Sequence, residues 1–216
     1  MSTAMLESRT VNGAHPLPDA ADPSAIDHFV YLHDVSFRAY EAVLAMRGER
    51  SVPRITYSKG VLELMTPSRF HERDKTRFAR LLEAWAEETG VQLEGIGSWT
   101  LKSSSEEGGA EPDECYTVGR VVSDDENDDD RPDIAIEVIW TSGGLDKLEI
   151  YRTLGVREVW FYERGSLRFL ALRGESYEEC PRSPLLPDAD PDLFLSCMAE
   201  PSQVAAVRAL RASLRK

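Results

Sequence analysis

Apolar and polar positions along the chain follow two rhythms, and the switches between them mark the elements. From Asp34, read as an N-cap, the apolar residues Phe37, Tyr40 and Leu44 return at helical spacing until Gly48, which predicts a short amphipathic helix. In RITYSKGVLELM the period drops to two. Ile55 and Tyr57 alternate with polar residues, Ser58-Lys59-Gly60 turns, and Val61 to Met65 returns as a hairpin. Thr66-Pro67-Ser68 then supplies capping chemistry for a longer helix, with Phe78, Leu81, Leu82 and Trp85 on one face and Gly90 at its end.

The remaining pattern predicts a strand over 91–102, a Ser/Glu/Gly-rich loop, a strand over 112–118, an acidic loop and a third strand, DIAIEVIW. A helix over 145–154 ends at Gly155, and VREVWFY and SLRFLALR form two strands around an Arg164-Gly165 turn. After a Pro-rich connection from Pro181 to Pro191, two short helices close the chain. The first 27 residues, with Pro16, Pro18 and Pro23 and no apolar period, read as a flexible lead-in. The expected organisation is this lead-in, a main domain over 28–173 and a helical extension over 174–216. The expected fold is α/β, a central mixed sheet flanked by helices, with an N-terminal helix and hairpin.

Composition narrows the class. With 216 residues, 42% of them hydrophobic, one good core is expected. No run approaches the roughly 18 apolar residues of a membrane span, and MSTAMLESRT lacks the apolar stretch of a signal peptide, so the expected location is cytoplasmic. Cys115, Cys180 and Cys197 are odd in number and unpaired by spacing, and read as free thiols. A net charge of −13 argues against non-specific coating of nucleic acid, which Lys and Arg drive. Much of that charge is crowded into Asp124–Asp130, and Arg69, Arg73, Lys75, Arg77 and Arg80 leave the long helix locally basic. The acidic run lacks EF-hand spacing and reads as a solvated connection. Neither GxSxG nor a P-loop is present.

One strand carries candidate chemistry. In Asp133–Trp140, Ile134, Ile136, Val138 and Trp140 share a core face, which leaves Glu137 in mid-strand on the other face, where an unpaired charge is costly. Asp133 lies about 13 Å along the strand, too far to share an ion with it. Its partner is either Asp113 on a neighbouring strand, the two acids then sharing a cation, or a Lys or Arg from a covering helix.

The stretch PDIAIEVIWTSGGLDKLEIYRTLGVREVWFY, with GVLELMTPSRFHE upstream and EPDECY between, resembles the Uma-two family of restriction-endonuclease-like proteins, a branch of the PD-(D/E)XK nuclease superfamily. The resemblance spans roughly residues 30–172. It implies a restriction-endonuclease-like core, Asp113 and Glu137 as metal-binding acids, Mg²⁺ or Mn²⁺ as the ion, and Glu63 and His71 beside the cleft. The superfamily's lysine two residues after the second acid is absent, since that position is Ile139. In this family a Lys on the following helix is its substitute, which points to Lys147, with Lys102 as the fallback. The implied function is metal-dependent hydrolysis of phosphodiester bonds, with nucleic acid, DNA first, as substrate and a homodimer as the form suited to cutting both strands. The rival is an inactive binding or assembly module that keeps the nuclease fold.

Overall fold

The computed structural model describes residues 26–105, 107–122, 131–141, 144–163 and 165–215. Most of the lead-in, the acidic run and Arg164 therefore lie outside the described residues. The chain begins with β1 (His28–Leu32), α1 (Phe37–Arg47), β2 (Arg54–Ser58), β3 (Val61–Thr66) and α2 (Arg69–Thr89). Short strands β4 (Leu93–Gly95), β5 (Leu101–Ser103) and β6 (Gly108–Ala110) follow, then β7 (Glu114–Val118) and β8 (Ile134–Ile139). The chain continues as α3 (Leu148–Thr153), β9 (Glu158–Glu163), β10 (Ser166–Arg173), β11 (Ser176–Cys180), α4 (Pro191–Met198) and α5 (Gln203–Leu214). None of the described helices is long and apolar enough to cross a membrane.

The strands form two sheets. An antiparallel sheet runs β1-β3-β2-β6-β5, and a mixed sheet runs β11-β10-β9-β8-β7-β4, its only parallel described pair being β8 with β9. A β-α-β unit through α3 makes that pair, because parallel neighbours need a crossover rather than a tight turn. The hairpin read from the sequence is thus the middle of a second sheet.

Helix α2 covers one face of the mixed sheet. Phe78, Leu81, Leu82 and Trp85 pack with Ile134, Ile136, Val138 and Trp160, and α4 and α5 add Phe194, Met198 and Leu210 to the same core. Ser68 caps α2 by accepting the His71 N–H, and Gly90 ends it in the left-handed conformation. The opposite face meets α3 and the end of the antiparallel sheet through Ala135, Val159, Ile150, Leu101 and Ala110.

Several boundaries depart from the pattern. Ser36, not Asp34, caps α1 by accepting the Ala39 N–H, and Asp34 sits at φ 57° in the turn before it. The single strand read over 91–102 is two, β4 in the mixed sheet and β5 in the other, separated by Gly97 at φ 74°. Asp27, read from the sequence as the last residue of the lead-in, is buried, and β1 follows at once. Three strands, β1, β6 and β11, carry no alternating pattern to betray them.

Candidate active site

Where the two sheets meet, a cavity of about 290 Å³ is lined by Asp113, Glu137, Lys147, Glu63 and His71, all five of the residues singled out from the sequence. Lys102 is elsewhere, exposed and paired with Glu41 at 3.1 Å.

Strand pairing brings the two acids together. Glu114 and Cys115 of β7 face Ile136 and Ala135 of β8, so continuing the antiparallel register by one residue sets Asp113 across from Glu137. The Asp113 N–H donates to the Ile136 carbonyl at 3.1 Å, and Asp113 Oδ2 accepts the Val138 N–H at 2.6 Å. Asp113 Oδ1 meets His71 Nε2 at 3.0 Å and is ion-paired with Arg54. Arg54 also holds Glu72 at 2.8 Å. Glu137 accepts Lys147 Nζ at 2.8 Å on Oε2 and the Tyr151 hydroxyl on Oε1. Lys147 is the N-cap residue of α3 and Tyr151 lies one turn further, so one helix end supplies both partners. Burial, reinforced by the Glu137 charge, pushes the Tyr151 hydroxyl well above its usual range, which keeps it a donor.

The other two expected residues support this centre. His71 Nδ1 faces Asp27 Oδ2 at 3.3 Å, so the imidazole spans two buried carboxylates. Asp27 in turn accepts the Ser68 N–H at 2.7 Å and the Thr141 N–H at 3.3 Å. Burial alone would raise the Asp27 carboxyl, but hydrogen bonds from His71 and Ser68 outweigh it and hold the group below the ordinary carboxylate range. Glu63 accepts the Leu145 N–H at 2.7 Å, and burial raises its carboxyl despite that bond and the nearby Lys147.

Asp27 and Arg54 are the site residues that pattern reading missed. Asp27 stands at the end of a segment without periodicity and carries no signal. Arg54 does carry one: it shares the polar alternation of β2 with Thr56, which pairs with Glu63 across the hairpin.

The donor set suits a hard divalent cation. Arg54, His71 and the Val138 N–H occupy three of the roughly four lone-pair sites of Asp113, and Lys147 and Tyr151 two of those of Glu137. Asp113 therefore retains capacity for about one ligand bond and Glu137 for about two. Among the described residues no three His, Cys, Asp or Glu side chains form a ready cage. Mg²⁺ does not require one, since it keeps several waters and takes one or two carboxylates. Four buried acids, Asp27, Glu63, Asp113 and Glu137, also outnumber the two permanent cations, Arg54 and Lys147, a surplus that a cation offsets.

A mixed sheet carrying acids on adjacent strands, with helices on its faces, defines a restriction-endonuclease-like α/β core. Residues 38–203 match the sequence model of the Uma2 family, described as "Putative restriction endonuclease", and the chain belongs to that family. Comparison with curated proteins gives no match.

Proposed function

We propose that the chain is a metal-dependent endonuclease that hydrolyses phosphodiester bonds, DNA being the first substrate to try, with Asp113 and Glu137 holding Mg²⁺ or Mn²⁺. The observation that carries this is the register setting Asp113 across from Glu137 in one cavity, with Lys147 on the second acid. When bound, such an ion polarises the phosphate and lowers the pKa of water. The protein's own groups do the rest. The Val138 N–H and the Tyr151 hydroxyl fix the rotation of the two carboxylates. Lys147, 2.8 Å from Glu137 Oε2 and on the cavity wall, would offset negative charge in the transition state. Ile139 and Phe161 line the cavity with apolar surface, where such charge interactions are stronger than in water. Two copies would be needed to cut both strands at one place, so a homodimer is the expected working form.

The test is nicking of supercoiled DNA by purified protein with Mn²⁺ or Mg²⁺ at low ionic strength. Chelation by EDTA should stop the reaction, and Asp113→Asn or Glu137→Gln should lower it by about a hundredfold or more. Lys147→Ala should slow cleavage by a similar factor of about 10²–10³ while calorimetric metal affinity changes little. One feature favours the rival, a non-catalytic module: both acids already have internal cationic partners. Cleavage that is absent, or equal in wild type and Glu137→Gln, would favour it.

A further inference from the structure

The reading above gives His71 no chemical step, yet contacts fix both of its ring nitrogens. Nδ1 faces Asp27 Oδ2 at 3.3 Å, and Nε2 stands 3.0 Å from Asp113 Oδ1 and 3.5 Å from Arg54 Nη1. All four side chains are buried, and all four residues line the cavity.

The partners decide where the ring carries its proton. Asp27 accepts the Ser68 and Thr141 N–H groups on the same carboxylate, as an ionised acceptor does, so a proton on Nδ1 is what it takes from the ring. Arg54 can only donate, so what it meets at Nε2 is a lone pair; a proton there would set donor against donor. The Nε2 lone pair is thereby turned toward Arg54 Nη1 and Asp113 Oδ1, and Arg54 is ion-paired with Asp113 as well. One nitrogen and one oxygen acceptor thus converge on a single cationic group. Their separation of 3.0 Å also matches neighbouring ligands of an octahedral ion, which lie about 3.0 Å apart when the bonds are about 2.1 Å.

We propose that His71 Nε2 is a direct ligand of the divalent ion, together with the Asp113 Oδ1 lone pair that faces it, and that Asp27 is the positioning residue that holds the ring for this task. That an ion enters the cavity rests on the nuclease reading; a nitrogen in its shell does not follow from that reading. A carboxylate behind the other nitrogen of a ligating histidine fixes the tautomer and the ring orientation and makes the ligand more basic. Arg54 keeps Glu72 through Nη2 at 2.8 Å, so only Nη1 has to yield its place. Waters fill what the side chains leave open. The consequence is a preference among cations. Oxygen ligands alone suit Mg²⁺, whereas imidazole suits the later first-row metals, so affinity should rise from Mg²⁺ through Mn²⁺ to Co²⁺.

The experiment uses the whole chain without DNA. Mn²⁺ bound to wild type should show, by electron spin echo spectroscopy, the coupling of a directly bonded imidazole nitrogen. That coupling should change when the histidines carry the heavy nitrogen isotope and should vanish in His71→Gln. Calorimetry with MgCl₂, MnCl₂ and CoCl₂ should give the stated order in wild type, a narrower spread in His71→Gln, and a loss of about 10–100-fold in Co²⁺ affinity in Asp27→Asn. Ser183→Ala removes a buried hydrogen bond to Glu158 outside the cavity, so it controls for lost stability and should bind Co²⁺ like wild type. No Mn²⁺ binding, a spectrum without nitrogen coupling, or coupling that survives in His71→Gln overturns the ligand assignment. Unchanged Co²⁺ affinity in Asp27→Asn, or an equal loss in Ser183→Ala, overturns the positioning role. The nuclease reading fails separately, as nitrogen-bound Mn²⁺ with DNA left uncut, whereas cleavage supported by Mn²⁺ without nitrogen coupling keeps that reading and removes this one.

Discussion

Asp27 makes no contact with Lys147 or Glu137 in the hydrogen-bond network, yet one carboxylate joins the start of the antiparallel sheet, the cap of α2 and the loop after β8. Its two oxygens accept N–H groups of Ser68 and Thr141 and face His71, so its removal leaves several buried donors without an acceptor. Asp27→Asn should therefore destabilise the protein by about 1–3 kcal/mol at neutral pH. The pH dependence follows from the direction of its shift. A carboxyl depressed in the folded state contributes stability above its unfolded value of about 3.9, and the contribution is lost as pH falls through the lower folded value. Thermal melts of the two proteins should thus differ most at pH 6–7 and converge below about pH 4. A constant gap across that range would mean that the loss is one of packing and not of charge. Glu63 behaves oppositely: its raised carboxyl contributes most below the unfolded value and loses that contribution as pH rises through the folded one, so the two acids do not cancel in one window.

Among the elements, β6 is the one whose residues look least like a strand. Gly108 and Gly109 have no side chain to pack, and at Gly109 the reason is steric: a Cβ there would lie 2.1 Å from the Tyr40 hydroxyl oxygen and 2.7 Å from Cζ. Tyr40 is fully buried and stacks on Tyr57 at 5.0 Å, so it has little room to yield. Gly109→Ala should cost about 1–3 kcal/mol in denaturant unfolding, and adding Tyr40→Phe should recover part of it. Strictly additive losses would remove this contact as the cause. The strand matters for function because β6 pairs with β2, whose first residue, Arg54, reaches Asp113. Helix α3 shows the reverse case. Its DKLEIY sequence displays Lys147 and Tyr151 four apart, and the structure turns both toward Glu137.

The whole molecule sets a strong overall charge against a small site. A net charge of −13 works against polyanion binding, while the surplus of buried acids in the cavity works for cation binding. Mn²⁺ at about 100 times its dissociation constant should stabilise the fold by about 2.7 kcal/mol, or roughly 5–10 °C in Tm, and Glu137→Gln should abolish most of that shift. An equal shift in both proteins would place the ion elsewhere. Much of the architecture follows from the sequence itself. The helical repeat of Phe78, Leu81, Leu82 and Trp85, the alternation in β2 and β3, and the core face of β8 are local periodicities that hold wherever one face of an element is buried. Glu137 was also visible as a charge in mid-strand that needs a partner. What the sequence left open was which partner: an acid across the sheet and a lysine from the next helix were alternatives, and in the folded protein both flank Glu137. The division of the strands into two sheets, the burial of Asp27 and the reach of Arg54 to Asp113 belong to the tertiary structure alone. They depend on contacts between residues 41–114 positions apart, and no local pattern of polarity encodes which distant charge will close on which.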